Sequence, residues 1–437
     1  MTIRKLLALL FALALALAVI AACDRGGGTS GSSADGDGTT PTHSPGPTHS
    51  PTPVYSPTPT PEQPFEGKIA IITYDVYGNE EDYRSAEAMQ RKFGEDKIIH
   101  RVRHASRYTE GEQMITILQE IASVPDLKAV IINQAVLNTY TAVDKLLESR
   151  PDLFVAYCKP AENLPDVVRR AHLILKPNDQ LRGETIIMQA KAMGAKVFIH
   201  YSFPRHMEVP DFSQRRNIMM DVCEREGLTF VDLSAPDPMS DIGIPGSSQF
   251  TLVDVPNQIA QWGKDTAFFS TSCGMNISLI MMVADLGAIY PEPCCPSPYH
   301  GFPYAFGIES TVYDGANVLV NDYGELKDIG HLRVVDEIID EIRYSVALRG
   351  ATGRLATWPV SASMMYTAIA TEYAIKWING EVPQEKGNID YAAIEELCDA
   401  YIFAVTGERL GAEINPLSQR GRTYNNCLLF VLDSIVF

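Results

Sequence analysis

Basic side chains are in short supply. Lysine and arginine number 36 against 54 aspartates and glutamates, which leaves a formal net charge of -18 over 437 residues. A reader of nucleic acid needs a basic surface to displace the counterions of a phosphate backbone, so nucleic acid is excluded as a partner. The short catalytic signatures are missing too. There is no Gly-x-Ser-x-Gly elbow, no His-Glu-x-x-His, no Gly-x-x-x-x-Gly-Lys-Ser/Thr phosphate loop and no Gly-x-Gly-x-x-Gly after a strand. Adjacent carboxylates do occur, at Glu80 with Glu81 and at Glu395 with Glu396, but their helical context suits a solvated face better than acid–base chemistry. A protein that is no enzyme and uses no cofactor is expected, with an exported hydrolase as an alternative.

What is present begins at the N-terminus. Arg4 and Lys5 precede an apolar run from Leu6 to Ala22 that stops at Cys23, where the composition changes abruptly. Positive charge, a short apolar core and small residues at its end make an export signal; a spanning helix needs about 20 apolar residues. The run closes with Ile20-Ala21-Ala22-Cys23, and this resembles the lipobox of bacterial lipoproteins. The resemblance implies that residues 1–22 are a signal peptide and that the Cys23 sulfur is acylated, placing the remainder outside the cytoplasm, lipid-anchored to the cell membrane. Residues 23–65 are Gly, Ser, Thr and Pro with almost no apolar side chains, so nothing there offsets the entropy of ordering the backbone. They are expected to be a disordered tether, extended by its His-Ser-Pro and Thr-Pro units. His43 and His49 within it are read as solvated, because a floppy chain poor in carboxylates loses too much entropy in closing on a metal.

With Cys23 assigned to lipid, Cys158, Cys223, Cys273, Cys294, Cys295, Cys398 and Cys427 remain. An odd set cannot all pair internally, and several lie in apolar stretches where a free thiol behaves as a small hydrophobe. No disulfide framework is expected, despite export. The neighbours Cys294 and Cys295, with His300 close by, raise the question of zinc. Adjacent cysteines point in different directions, and no second Cys or His pair stands at finger spacing, so no metal is expected.

The hydrophobic fraction is 46%, and the chain beyond the tether exceeds what one small core requires, so two lobes are the natural division. From Lys68 short β-branched runs alternate with amphipathic stretches. Strands are expected at Lys68–Thr73, Lys97–Arg101, Ala129–Asn133, Leu153–Tyr157 and His172–Leu175, with helices at Glu80–Phe93, Thr109–Ala122 and Thr139–Glu148. The rhythm then repeats, with helices Gln180–Met193, Phe212–Glu226 and Asn276–Leu286 around strands Val197–Tyr201, Thr229–Leu233 and Ala267–Thr271. The expected fold is α/β: two doubly wound parallel-sheet lobes, 66–176 and 177–304, with a ligand cleft between them. A mainly helical segment, 305–437, returns to brace the first lobe and the hinge. The alternation Phe302, Tyr304, Phe306 reads as a packed strand.

Two passages carry a likeness: Lys68 to Tyr74 as the opening strand and loop, and Ala267-Phe-Phe-Ser-Thr-Ser272 leading through Cys273-Gly-Met-Asn276 into a helix ended by Gly287. Together with the lipobox and tether, they make the chain resemble the type I periplasmic-binding-protein superfamily. Within it the likeness is to a group of lipoproteins known as a domain of unknown function, more distantly akin to basic-membrane-protein nucleoside receptors and sugar-repressor ligand domains. The resemblance implies a solute-binding protein that captures a small polar ligand for an ABC-type uptake system. Its partner is a transporter permease or, in the alternative, a membrane signalling receptor. Sugar-repressor domains carry Asn-Asp after the second passage's strand; here Ser272, Cys273 and Gly274 stand instead, so a sugar gripped through that acid does not follow.

Ligands of such folds meet the loops at the carboxyl ends of the strands. In the first lobe these offer Tyr74, Asp75, Tyr77, Asn133, Gln134 and Lys159. Asn178 stands at the crossing and, with Asp179, also suits capping the next helix. The second lobe offers Ser202, Arg205, His206, Thr271, Ser272 and Asn276; Arg205 has Glu208 or Asp211 as alternative partners. Tyr74 and Tyr77 beside Asp75 suit a flat nucleoside-like heterocycle, whereas Lys159 and Arg205 suit an acid. Cys23→Ser is expected to abolish acylation, which loss of radiolabelled palmitate incorporation and of detergent-phase partitioning would register.

Overall fold

The computed structural model describes residues 65–75, 79–104, 110–136, 138–162, 164–308, 333–419 and 421–437. The expected signal peptide, most of the expected tether, and Tyr77 lie outside the described residues. The first half runs β1 (Lys68–Tyr74), α1 (Glu80–Phe93), β2 (Ile98–Arg103), α2 (Glu110–Ala122), β3 (Leu127–Asn133), α3 (Thr139–Ser149), β4 (Phe154–Cys158), α4 (Leu164–Val168) and β5 (Leu173–Pro177). Alternate side chains along the central strands β1, β3 and β4 feed two different cores, which is why their sequences are largely apolar. Ile69 and Ile71 join one core with Ala129, Ile131, Phe154 and Ala156. Ala70 and Ile72 join the other with Val130, Ile132, Val155 and the helices α2 and α3. The helix α1 starts where Asn79 accepts a hydrogen bond from the Asp82 N–H, and its first-turn acids Glu80, Glu81 and Asp82 suit the positive end of the helix dipole.

The chain then crosses to the second lobe: α5 (Asp179–Ala192), β6 (Val197–Ser202), α6 (Pro204–Met207), α7 (Pro210–Glu226), β7 (Thr229–Ser234), α8 (Gly243–Trp262), β8 (Thr266–Ser270) and α9 (Asn276–Leu286), the last entered through a single turn at Cys273–Met275. Its sheet has the order β7-β6-β8, all parallel. Phe198, Ala267 and Phe269 face α5 and α7, while Ile199, Tyr201 and Phe268 face Val255 of α8 and Leu279, Ile280 and Val283 of α9. Phe302–Phe306 is a short helix, α10, and not a strand. Pro303 favours the helical first turn, Gly307 ends it in the left-handed region, and the spacing of Phe302 from Phe306 serves a helix face as well as a strand face.

The remainder comprises α11 (Arg333–Leu348), β9 (Ala356–Thr357), α12 (Ala362–Ile378), α13 (Tyr391–Thr406), β10 (Ala412–Gln419), β11 (Arg422–Leu432) and β12 (Ile435–Val436). Besides helices, this segment supplies strands to both lobes. β11 pairs parallel with β5 and antiparallel with β10, so the first sheet reads β2-β1-β3-β4-β5-β11-β10. β12 pairs with β9 beside the second sheet, which Tyr290 and Leu355 bridge. α12 lies across β3, β4, β5 and α1. The chain therefore passes between lobes at Pro177–Asp179, between α10 and α12, and again between β11 and β12. No helix among the described residues is long and apolar enough to cross a membrane.

Gly183 lets α5 and α7 meet. A Cβ there would stand 2.9 Å from the Arg215 carbonyl oxygen and 2.9 Å from Ile218 Cβ. Replacing a helical glycine by alanine gains about 1 kcal/mol of propensity, but overpacking against backbone costs about 1–3 kcal/mol. Gly183→Ala is expected to destabilise the protein, seen as a lower urea midpoint at unchanged slope.

Candidate functional site

The carboxyl end of the first sheet is a polar wall on bent backbone. Gln134 and Lys159 follow β3 and β4 directly, and both are non-glycine residues in the left-handed region, at φ 46° and 50°. Each turns its N–H to the next strand: Gln134 donates to the Cys158 carbonyl and Lys159 to that of Leu175, both at 2.8 Å. Such conformations cost about 1–3 kcal/mol each and persist where the surroundings over-determine them, often at ligand sites.

The Lys159 ammonium lies 3.1 Å from the fully buried Asp82 carboxylate of α1 and also donates to the Ser363 hydroxyl of α12. Burial by itself pulls the Lys159 pKa down, but the negative charge of Asp82 and Glu81 outweighs it and holds the ammonium above its ordinary value. Beside it, Asn133 donates to Thr367 Oγ1 at 2.8 Å, and Ser85 donates to the same oxygen at 2.8 Å. Asn133 Oδ1 is buried without a hydrogen-bond partner. Asp82, Ser85, Ser363 and Thr367 went unread in the sequence, since their duty comes from α12, which meets α1 and the sheet only in three dimensions.

At the β1 edge, the Arg103 guanidinium lies 3.4 Å from the centroid of the Tyr74 ring and donates to the carbonyls of Asn133 and Gln134 at 3.3 and 2.5 Å. One face of Tyr74 is thereby taken. Asp75 pairs with His104 at 2.6 Å.

The second sheet presents Ser202, Thr271, Ser272 and Asn276, all buried. Thr271 Oγ1 lies 3.1 Å from His206 Nδ1, and the His206 ring packs against Phe203 and Phe212. Ser272 caps the turn, accepting from the Gly274 N–H at 3.2 Å. Asn276 accepts from the Tyr290 hydroxyl at 3.1 Å, and its Nδ2 is buried without a partner. Asn178 caps α5, accepting from the Leu181 N–H at 3.1 Å. Arg205 grips Asp237 through two bonds of 2.7 and 2.8 Å, neither Glu208 nor Asp211 being its partner. Asp211 instead pairs with Lys176 at 2.5 Å.

The loop after α9 joins the two walls. The Ser297 hydroxyl meets Glu81 of the first lobe, and Pro296 accepts from the Ala362 N–H at 3.4 Å. Glu81, read from sequence as part of a solvated face, is thus engaged here. Two surface depressions of about 340 Å³ lie elsewhere, one beside Val168, Lys386 and Tyr424, the other beside Val102, Gln113 and Ile117.

A mainly parallel sheet and a fully parallel one, linked by repeated crossings, with polar residues on the carboxyl ends of each, define a type I periplasmic-binding-protein-like fold. The chain belongs to the family "Protein of unknown function (DUF3798)", whose pattern spans residues 67–355. An "Uncharacterized protein" of Treponema pallidum (strain Nichols) is 27% identical over 231 residues, 53% of this chain and 98% of that one. A crystal structure of a proposed transcriptional regulator from Clostridium difficile 630 shares the fold at a TM-score of 0.68 and 20% identity, covering 86% of this chain and all of that one. An ABC transporter solute-binding protein from Clostridium phytofermentans, solved with bound L-rhamnose, aligns at a TM-score of 0.45 and 10% identity over 85% of this chain and 95% of its own.

Burial, reinforced by Arg205, lowers the His206 pKa from 6.5 to about 4. The native state keeps this ring neutral while the unfolded chain takes a proton near pH 6.5, so the unfolded state binds more protons across that window. Stability is therefore present above pH 6.5 and lost as pH falls towards 4. His100 and His172 are lowered to about 4 as well and act with the same sign. Urea midpoints measured from pH 7 to 4 should fall steadily, and less steeply in His206→Gln; an unchanged slope in that variant would remove His206 from the account.

Proposed function

We propose that this chain is the extracytoplasmic, lipid-anchored binding protein of an ABC-type uptake system, and that it captures a small polar solute between its lobes. The reading is carried by Gln134 and Lys159, held in the left-handed region at the carboxyl ends of adjacent strands. Folding accepts that strain where rigid placement of polar groups is useful, and a preorganised wall lowers the entropy lost on binding. The unpartnered Asn133 Oδ1 and Asn276 Nδ2 support the same reading. A buried acceptor and donor left unpaired cost about 1–3 kcal/mol each, which a solute bearing one donor and one acceptor offsets. Arg103 against Tyr74 reduces the aromatic surface open to a nucleoside-like heterocycle, so such compounds are tested beside acids and sugars without precedence.

The test is thermal unfolding of the full chain in detergent against nucleosides, sugars, amino acids, organic acids, peptides and vitamins. A true solute at a hundred times its dissociation constant adds about 2.7 kcal/mol of stability and raises the midpoint with dose. Asn276→Ala should then weaken that solute about 10-fold, the worth of one buried hydrogen bond. A cooperative transition that no compound moves would remove the support for a receptor.

A further inference from the structure

We propose that Cys273, Cys295 and His300 form a binding site for one thiophilic transition-metal ion of the Zn²⁺ class. Cys273 opens the turn that follows β8, and Cys295 and His300 lie on the loop between α9 and α10. The two sulfurs are 3.3 Å apart, and one donor atom from each of the three residues lies within 4.8 Å of the others. On a tetrahedral zinc, two thiolates at Zn–S distances near 2.3 Å stand about 3.8 Å apart. Opening the pair by about half an ångström therefore accommodates the ion. A disulfide would need the sulfurs drawn in to about 2.0 Å and would leave the third donor, His300, without a part. The imidazole at the same point decides for the metal.

The Cys294 thiol is hydrogen-bonded beside that of Cys295 and also donates to the Thr271 carbonyl at 3.4 Å. The partner that completes the set is Cys273, 22 positions before Cys295, and nothing in finger spacing anticipates it.

The loop is held on both sides of Cys295. Arg182 donates to the carbonyls of Pro293 and Cys294 at 2.9 and 3.0 Å, the Ser297 hydroxyl engages Glu81, and the His300 N–H donates to the Ser297 carbonyl at 3.3 Å. Donors placed in advance lose little entropy on coordination. Cys273 is exposed, which gives a dissolved ion a way in. Two sulfurs and an imidazole select zinc or its softer neighbours over the oxygen-seeking Mg²⁺ and Ca²⁺. On binding, the two thiols release their protons to solvent, and their two negative charges balance the divalent ion. A water or a solute atom fills the fourth position. The site does not rest on solute capture, since a chain that ignores every organic compound can still hold the ion.

The full chain in detergent, reduced with a phosphine and stripped by a chelator, is titrated with Zn²⁺ and separately with Co²⁺. One ion per chain and a thiolate-to-Co²⁺ charge-transfer band in the near ultraviolet are expected. Cys273→Ser, Cys295→Ser and His300→Ala should each weaken Zn²⁺ by more than the roughly 10- to 100-fold that loss of a supporting partner costs a metal site. Cys223→Ala, in α7, should leave the affinity unchanged. Should a variant fail to fold, the unaltered chain decides: Zn²⁺ should shield Cys273 and Cys295 from iodoacetamide, and equal labelling with and without the ion overturns the site. Absence of stoichiometric binding by the reduced, folded chain overturns it too, and a Cys273–Cys295 disulfide forming in air under those conditions would assign the pair to redox chemistry.

Discussion

The Arg182 guanidinium fixes the part of the molecule on which the cleft depends. It is almost fully buried, as is its partner Glu292, with 2.7 Å between them. Its remaining donors reach Asp179 at 3.3 Å and the carbonyls of Pro293 and Cys294. Burial works against the charge on Arg182, but Glu292 and Asp179 outweigh that penalty and raise its pKa. Removing one member of such a pair strands the other in a low dielectric at a cost of about 3–5 kcal/mol. Asp179 is shared with Arg215, at 2.5 Å, so α5, α7 and the loop after α9 are tied at one point. That loop carries Cys295 and His300, touches Glu81 and Ala362 of the opposite lobe, and brings the chain back towards α12. A hydrophobic contact there would hold the loop near the helix; planar, directional hydrogen bonding sets its orientation as well.

How far the sequence disclosed the fold depends on how local each signal is. The strands β1, β3 and β4 are buried on both faces, and their unbroken apolar runs identify them without outside information. A helix start was legible where a side chain caps its own helix, as Asn178 does for α5; Asn79 caps α1 in the same way without having been read from the sequence. The hairpin of β10 and β11 was not legible. β10 is half exposed, carries Pro416 where its register with β11 shifts, and sits at the sheet edge, so it lacks both alternation and an apolar run. β11 owes its place to β5, Cys427 standing opposite Ile174. No window of sequence displays a pairing between residues that distant.

The site shows the same division. The rule that ligands meet the carboxyl ends of parallel strands nominated Asn133, Gln134, Lys159, Thr271 and Asn276 because position along a strand is a local property. What each side chain does is set by partners far away in the chain. Arg103 covers Tyr74, Asp237 takes Arg205, and Thr367 receives Asn133. Residue type alone could nominate Arg205 for an anionic solute, and only geometry shows its fork already filled by a carboxylate. Cys273 and Cys295 fail the local test in the opposite way, being ordinary at their own positions and distinctive only together.

A solute shifts the balance between separated and closed lobes only by the difference in its affinity for the two arrangements. Groups confined to one lobe contribute nothing to that difference, however tightly they bind. If a solute closes the lobes as proposed, the loop after α9 is the element through which its binding would have leverage. It belongs to the second lobe through Arg182 and Cys294, yet meets the first through Ser297 with Glu81 and Pro296 with Ala362. An ion seated on Cys273, Cys295 and His300 would stiffen this loop against the second lobe while leaving its contacts to the first intact.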